Sequence, residues 1–288
     1  MSPSQDSRLP AVLALSALAA IACWGGLAAP ASAQSQTQSQ PQSQPGEQVT
    51  ASLVKPARPG ERLFGGSDCA VPQRIAAING ALPGTAERLR RGEAVKIVAI
   101  GSSSTEGAGA SSPDLAYPPQ LQRELSKRFP RSAVRVLNKG VGGELARDML
   151  ARLDRDALVH HPSLVIWQTG VNDAERRVPG EDFAAEMLRG VGRLRAAGID
   201  VLLVGPQCTP KIGPQAGAYP TYFSLFDMLR REAGAARFHR FEVMQYWVDS
   251  GQFTYTTMLA PDRFHMNDRS YACLARVMAD AIEQAVKE

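Results

Sequence analysis

From residue 95 onward, short apolar runs alternate with longer stretches of helical periodicity, and this alternation restricts the chain to a narrow set of folds. Val95, Ile97, Val98, Ala99 and Ile100, interrupted only by Lys96, lead into Gly101 as a mostly hydrophobic run, the pattern of a buried strand. Similar runs recur at residues 134–137, 164–167, 201–204 and 241–246. Helical patterns are expected between them at 119–129, 144–153, 181–197 and 222–233, with a closing helix at 267–286. Gly198 is placed to end the third of these. Strand and helix alternating in this way predict an α/β domain, a mainly parallel sheet of about five strands covered by helices on both faces, over residues 94–288.

The residues before this domain differ in kind. Residues 1–33 combine Arg8, a mostly apolar run over 11–29 and the small-residue series Ala31-Ser32-Ala33, which predicts a signal peptide cut after Ala33 and therefore export to the periplasm or medium of a bacterium. Gly25, Gly26 and Pro30 interrupt the run, so a retained membrane span is not expected. Cys23 loosely resembles a lipoprotein processing site but lacks the usual Leu three residues earlier. Residues 34–66 open with QSQTQSQPQSQPGEQ and stay rich in Pro and Gly, the composition of a disordered linker. Residues 67–93 contain an amphipathic stretch over 71–91 and are expected to pack on the main domain.

Charge and cysteine content narrow the function. The chain carries 32 Lys+Arg against 28 Asp+Glu, a formal net charge of +4, and its small basic clusters (Arg88, Arg90 and Arg91; Arg230 and Arg231) each lie beside a Glu. Such clusters predict solvated helix faces rather than the concentrated basic footprint of a nucleic-acid binder. Three cysteines follow Ala33, namely Cys69, Cys208 and Cys273, so at most one intrachain disulfide can form; a bridge from Cys69 to the body is one possible pairing. Their spacings match no metal cluster.

Ligands of an open parallel sheet bind at the carboxyl ends of its strands, which directs attention to four segments. Gly101-Ser102-Ser103-Ser104-Thr105-Glu106-Gly107 follows the first strand and can present a serine nucleophile, cradle an anion or form an ordinary turn. It lacks the Gly-Lys-Ser/Thr ending of the common nucleotide loop, and Lys139 alone does not make a phosphate site. Asn138-Lys139-Gly140-Val141-Gly142-Gly143-Glu144 can aim a backbone N–H into a cleft. In Gly170-Val171-Asn172-Asp173 the Asn172 amide can donate to a developing negative charge, while Asp173 can cap a helical turn or orient the loop. Pro261-Asp262-Arg263-Phe264-His265 places a carboxylate three residues before an imidazole, within reach of one ring nitrogen.

Taken in order, these four segments resemble the sequence blocks of the SGNH hydrolases, also called GDSL-type esterases and lipases. The resemblance spans residues 101–265. It implies a flavodoxin-like three-layer α/β/α fold and a Ser-His-Asp triad: Ser103 as nucleophile, His265 as general base and Asp262 as its orienting acid. The oxyanion donors it implies are the N–H groups of Ser103 and Gly143 and the side-chain amide of Asn172. One position departs from the pattern, because Ser102 stands where the family carries Asp; Ser102 and Ser104 are the alternative nucleophiles if the register differs.

The resemblance implies a carboxylic-ester hydrolase needing no cofactor or metal. Its expected substrate is a small-molecule or glycan ester, such as an acetyl or short acyl ester on carbohydrate. A passive glycan-binding or envelope-interaction protein with the same fold is the alternative that the Ser102 departure leaves open. Tyr117, Trp167, Tyr219, Tyr222 and Phe223 are candidates to line a sugar or acyl site.

Overall fold

In the computed structural model, residues 55–213 and 216–288 are described. The expected signal peptide, Cys23 and the Gln/Ser/Pro-rich part of the linker up to residue 54 lie outside them.

Five parallel strands form the centre: β1 (Val95–Gly101), β2 (Val134–Gly140), β3 (Leu164–Gln168), β4 (Asp200–Val204) and β5 (Ala236–Phe238). Their order across the sheet is β2-β1-β3-β4-β5. This is the flavodoxin-like order, in which the direction of winding reverses beside the first strand. Every residue of β3 and β4 is buried, as expected of a sheet covered on both faces.

The principal helices are α1 (Pro83–Arg91), α2 (Tyr117–Arg128), α3 (Gly180–Ala196), α4 (Tyr219–Ala233), α5 (Arg240–Asp249) and α6 (Asp268–Lys287). Helices α1 and α2 pack against α6, while α3 packs against α4 and the short helix Ala146–Ala151. The two sets form the outer layers of an α/β/α sandwich. Gly198 adopts φ +72° and closes α3, with the Ile199 N–H returning to the Leu194 carbonyl. Asn267 caps α6, its side chain accepting from the Ser270 N–H at 3.1 Å.

One expected strand is a helix. Residues 241–246 lie within α5, and the fifth strand is instead Ala236–Phe238. In α5 the buried residues are Arg240, Phe241, Val243, Met244, Tyr246 and Trp247, two of every three positions, which is one face of a helix. Phe241 with Val243, and Met244 with Tyr246, give the same stretch a partial two-residue period. The true strand is short and carries Arg237 at its centre, so it has no apolar run to reveal it.

The segment before β1 is fastened to the domain. Leu63–Phe64 pairs antiparallel with Val71–Pro72, and a disulfide joins Cys69 to Cys273 in α6. The Trp247 indole N–H also donates to the Cys69 carbonyl at 3.1 Å. Cys208 stays a buried thiol, and burial pushes its pKa up to about 12. The bridge spans 204 positions and so removes much of the freedom of the unfolded chain. Cys69→Ser is therefore expected to lower unfolding free energy by about 2 to 5 kcal/mol in a denaturant titration, and added reductant should bring the unsubstituted protein to the same midpoint.

The expected basic faces on α1 are solvated: Arg88, Arg90 and Arg91 are all exposed, and Arg91 pairs with Glu87 at 2.5 Å. Among the described residues no helix is long and apolar enough to cross a membrane, and no group of His, Cys, Asp and Glu could hold a metal ion.

Candidate active site

Sheet order explains why distant segments meet. At the carboxyl edge Gly101 is the register partner of both Gly140 and Gln168. The segments leaving β2, β1 and β3 therefore emerge side by side, carrying Gly143, Ser103 and Asn172 respectively. A cavity of about 380 Å³ lies elsewhere: it is lined by residues including Ser163 and Ile199, which precede β3 and β4 at the amino ends of the strands.

Ser103 opens a one-turn helix, Ser103–Glu106, with Ser102 as its N-cap. Its backbone N–H points out of the first turn, where the helix offers it no carbonyl. Gly101 is required by close approach, since a Cβ there would meet Thr105 Oγ1 at 2.1 Å. Behind the turn, the fully buried Gln168 collects its polar groups. Gln168 Oε1 accepts from Ser102 N at 3.1 Å and Thr105 Oγ1 at 3.0 Å, and Gln168 Nε2 donates to Ser102 Oγ at 3.2 Å. Ser102 thus belongs to a neutral buried latch rather than to the open side of the turn. Ser104 is also buried and faces Gln207, with its Oγ 3.4 Å from Oε1.

His265 reaches this turn from the loop before α6. Its Nε2 lies 2.8 Å from Ser103 Oγ, and its Nδ1 lies 2.6 Å from Asp262 Oδ2. Asp262 Oδ1 accepts the backbone N–H groups of Phe264 at 2.9 Å and His265 at 3.0 Å. Burial works against the Asp262 charge, but the bond to the His265 ring and those two N–H donors outweigh it and hold the carboxyl below its usual pKa. An ionised Asp262 keeps the Nδ1 proton and leaves Nε2 free to accept from the serine. The turn is tight enough to put Arg263 at φ +56°. Its exit is fixed by the Ala260 N–H donating to the His265 carbonyl at 2.8 Å and by Asn267 Nδ2 donating to the Thr257 carbonyl at 2.8 Å.

Asn172 and Gly143 complete the constellation. Asn172 Nδ2 donates to the Glu144 carbonyl at 2.8 Å, which orients the amide and leaves its second hydrogen for another acceptor. Gly143 adopts φ +76°, and its carbonyl accepts from Arg176 Nη2 at 2.9 Å. Asp173 is buried and accepts from the Ala146 N–H at 3.0 Å, so it orients the β2 loop; burial raises its pKa against the pull of its donors. The expected residues Ser103, His265, Asp262, Gly143 and Asn172 thus all lie at the carboxyl edge, and the first three form a continuous hydrogen-bonded chain.

The expected aromatic lining does not form. Tyr117, Trp167, Tyr219 and Tyr222 are buried in the core, and Phe223 packs edge-on against Phe241 with ring centroids 4.9 Å apart. These rings fill the space between sheet and helices, the commoner use of large aromatics. Two buried groups bearing on the site carry no motif in the sequence: Gln168 and Arg152. Gln168 could have been found as a polar residue at the carboxyl end of an otherwise apolar strand. Arg152 sits among the charges of residues 144–156 and has no such signal.

Comparison with known proteins places the chain. A 152-residue region, half of this chain, is 28% identical to an uncharacterized lipoprotein of Bacillus subtilis, YqeF, and covers 61% of it. A 98-residue region, 31% of this chain, is 29% identical to an acetylxylan esterase of Geobacillus stearothermophilus and covers 44% of it. The chain thus spans less than two thirds of these relatives. Among solved structures, a two-domain esterase active on acetylated mannans superposes over 75% of this chain and 57% of its own with a TM-score of 0.62 and 24% identity, which shows a shared fold. The family model that matches runs over residues 68–288 and is described as non-GDSL, in keeping with Ser102 at the position where the GDSL pattern has Asp. By that match, across well over half its length, the chain belongs to the non-GDSL lipase-like family.

Proposed function

We propose that the protein is an exported serine hydrolase of the SGNH type that cleaves carboxylic esters, acting on acetyl or short acyl esters of carbohydrate. The observation that carries this reading is the chain Ser103 Oγ to His265 Nε2 at 2.8 Å and His265 Nδ1 to Asp262 at 2.6 Å. It stands beside donor groups on the two neighbouring strand ends. A relative is an acetylxylan esterase, and a solved structure of the same fold is an esterase active on acetylated mannans, which supports the carbohydrate ester as substrate.

In the reaction His265 Nε2 takes the Ser103 proton as Oγ attacks the ester carbonyl, and Asp262 stabilises the imidazolium that forms. The carbonyl oxygen gains negative charge in the tetrahedral intermediate. The N–H groups of Ser103 and Gly143 and the free hydrogen of the Asn172 amide receive it. The imidazolium then protonates the departing alcohol oxygen. Water, deprotonated by His265, attacks the acyl-enzyme, and a second tetrahedral intermediate collapses to release the acid and restore Ser103.

A panel of acetylated xylo- and manno-oligosaccharides, aryl esters of increasing acyl length and a thioester tests the substrate. The expected result is turnover of the acetyl and short acyl esters, falling as the acyl chain lengthens. A preference for long-chain acyl esters or for the thioester would overturn the carbohydrate-ester reading.

A further inference from the structure

Arg152 is a buried cation that the reaction does not use directly, yet it touches the neighbours of three residues that do. Its side chain is 7% exposed. Nε donates to both oxygens of the Glu144 carboxylate, at 3.0 and 2.7 Å, and Nη2 reaches the same group at 2.6 Å. Nη1 donates to Asp156 Oδ2 at 3.0 Å, and Nη2 donates to the Gly101 carbonyl at 3.2 Å.

Gly101 ends β1 two residues before Ser103, and its carbonyl also accepts the Val141 N–H of the β2 loop at 3.0 Å. Glu144 follows Gly143, and the carbonyl of Glu144 is the group that orients the Asn172 amide. One guanidinium therefore ties the strand that delivers the nucleophile to the loop that supplies one oxyanion donor and steers another. The planar fork suits this task because its N–H directions are fixed relative to each other, whereas a lysine would supply only a point charge.

We propose that Arg152 is a positioning residue that sets the spacing between Ser103 and the oxyanion donors Gly143 and Asn172. The proposal rests on the ester-hydrolase reading above. Truncating Arg152 lets the Gly143–Glu144 loop move relative to β1 while leaving the hydrogen bonds from Ser103 to His265 and from His265 to Asp262, which Arg152 does not touch, in place. The loss should therefore fall on transition-state stabilisation and spare both substrate binding and the basicity of His265. A displacement near 1 Å at such donors costs roughly 100-fold.

The test measures kcat, KM and the pH profile of kcat/KM on an aryl acetate for the wild-type protein, Arg152→Lys, Arg152→Ala and Glu144→Gln, each assayed well below its own melting temperature. Arg152→Ala is expected to lose about 10- to 100-fold in kcat with KM within about threefold and the acid limb of the pH profile unmoved. Arg152→Lys should recover only part of the loss, and millimolar guanidinium should restore activity to Arg152→Ala but not to wild type. Glu144→Gln keeps the buried arginine and one acceptor, so it reports even if the Arg152 variants fail to fold; it is expected to show a smaller loss with the same kcat signature.

Folded variants with kcat within threefold of wild type would overturn the proposal, as would a loss confined to KM or a shifted acid limb. Absence of turnover in the wild-type protein would instead remove the ester-hydrolase reading beneath it.

Discussion

Replacing His265 by alanine is expected to lower ester turnover by about 10⁴- to 10⁶-fold, with little change in KM. The size follows from what the ring does at 2.8 Å from Ser103 Oγ: without it the serine proton has no acceptor, and a neutral hydroxyl is a poor nucleophile. Oxyanion donors remain in this variant, so residual catalysis above the uncatalysed rate should persist. Asp262→Asn should cost about 10⁴-fold by a different route. Its amide can donate to Nδ1, which then holds the ring in the tautomer whose Nε2 carries the proton and cannot accept from serine. The two substitutions should not be additive, since both disable the same proton transfer. Steady-state kinetics on one aryl ester measures both, and a single substitution that leaves kcat within tenfold of wild type would contradict the assigned chain.

The second large effect is expected at Asn172. Loss of one oxyanion donor costs about 2.7 to 4 kcal/mol, or roughly 100- to 1000-fold in kcat. Asn172→Ala should lie at the upper end, because the same amide also holds the Glu144 carbonyl at 2.8 Å and with it the loop carrying Gly143. Asn172→Asp should be at least as damaging. A carboxylate there has no hydrogen to give, faces the Glu144 carbonyl with like charge, and opposes the negative charge of the intermediate. In both variants KM should change little, since the donor acts on an oxygen that becomes charged only during reaction. An Asn172→Ala variant with raised KM and unchanged kcat would make the amide a substrate-binding group instead.

Strands β1, β3 and β4 were legible in the sequence because each brings an apolar run into the covered middle of the sheet, with Lys96 the one half-buried residue of β1, whereas β2 at the edge was legible from the buried Val134 and Val136 on either side of the exposed Arg135. Strand β5 was hidden because Arg237 occupies its middle. That guanidinium meets Asp227 Oδ1 at 2.5 Å, while its backbone exchanges hydrogen bonds with Asn79 at the sheet edge. Both are tertiary contacts, and neither leaves a local pattern. The same distinction runs through the site. Ser103, Gly143, Asn172 and the Asp262–His265 pair sit in short segments whose spacing is local, so their order along the chain can be matched to a family. Gln168 and Arg152 act through partners that only the fold brings near, from Ser102 to Gln168 and from Gly101 to Arg152. The supposed aromatic lining erred for the converse reason: ring identity does not distinguish a wall of the core from a wall of the cleft.

Ser102 shows how the structure accommodates a departure from the GDSL pattern. The position faces Gln168 rather than solvent, and the neutral pair Ser102–Gln168 satisfies the backbone N–H of the turn without a buried charge.

Covalent labelling of the protein with an organophosphonate, followed by peptide mass spectrometry, tests most directly whether this site activates a serine. The expected result is a stoichiometric adduct on Ser103 that fails to form in His265→Ala. An unlabelled folded protein, or an adduct on Ser102 or Ser104 with Ser103 untouched, would contradict it.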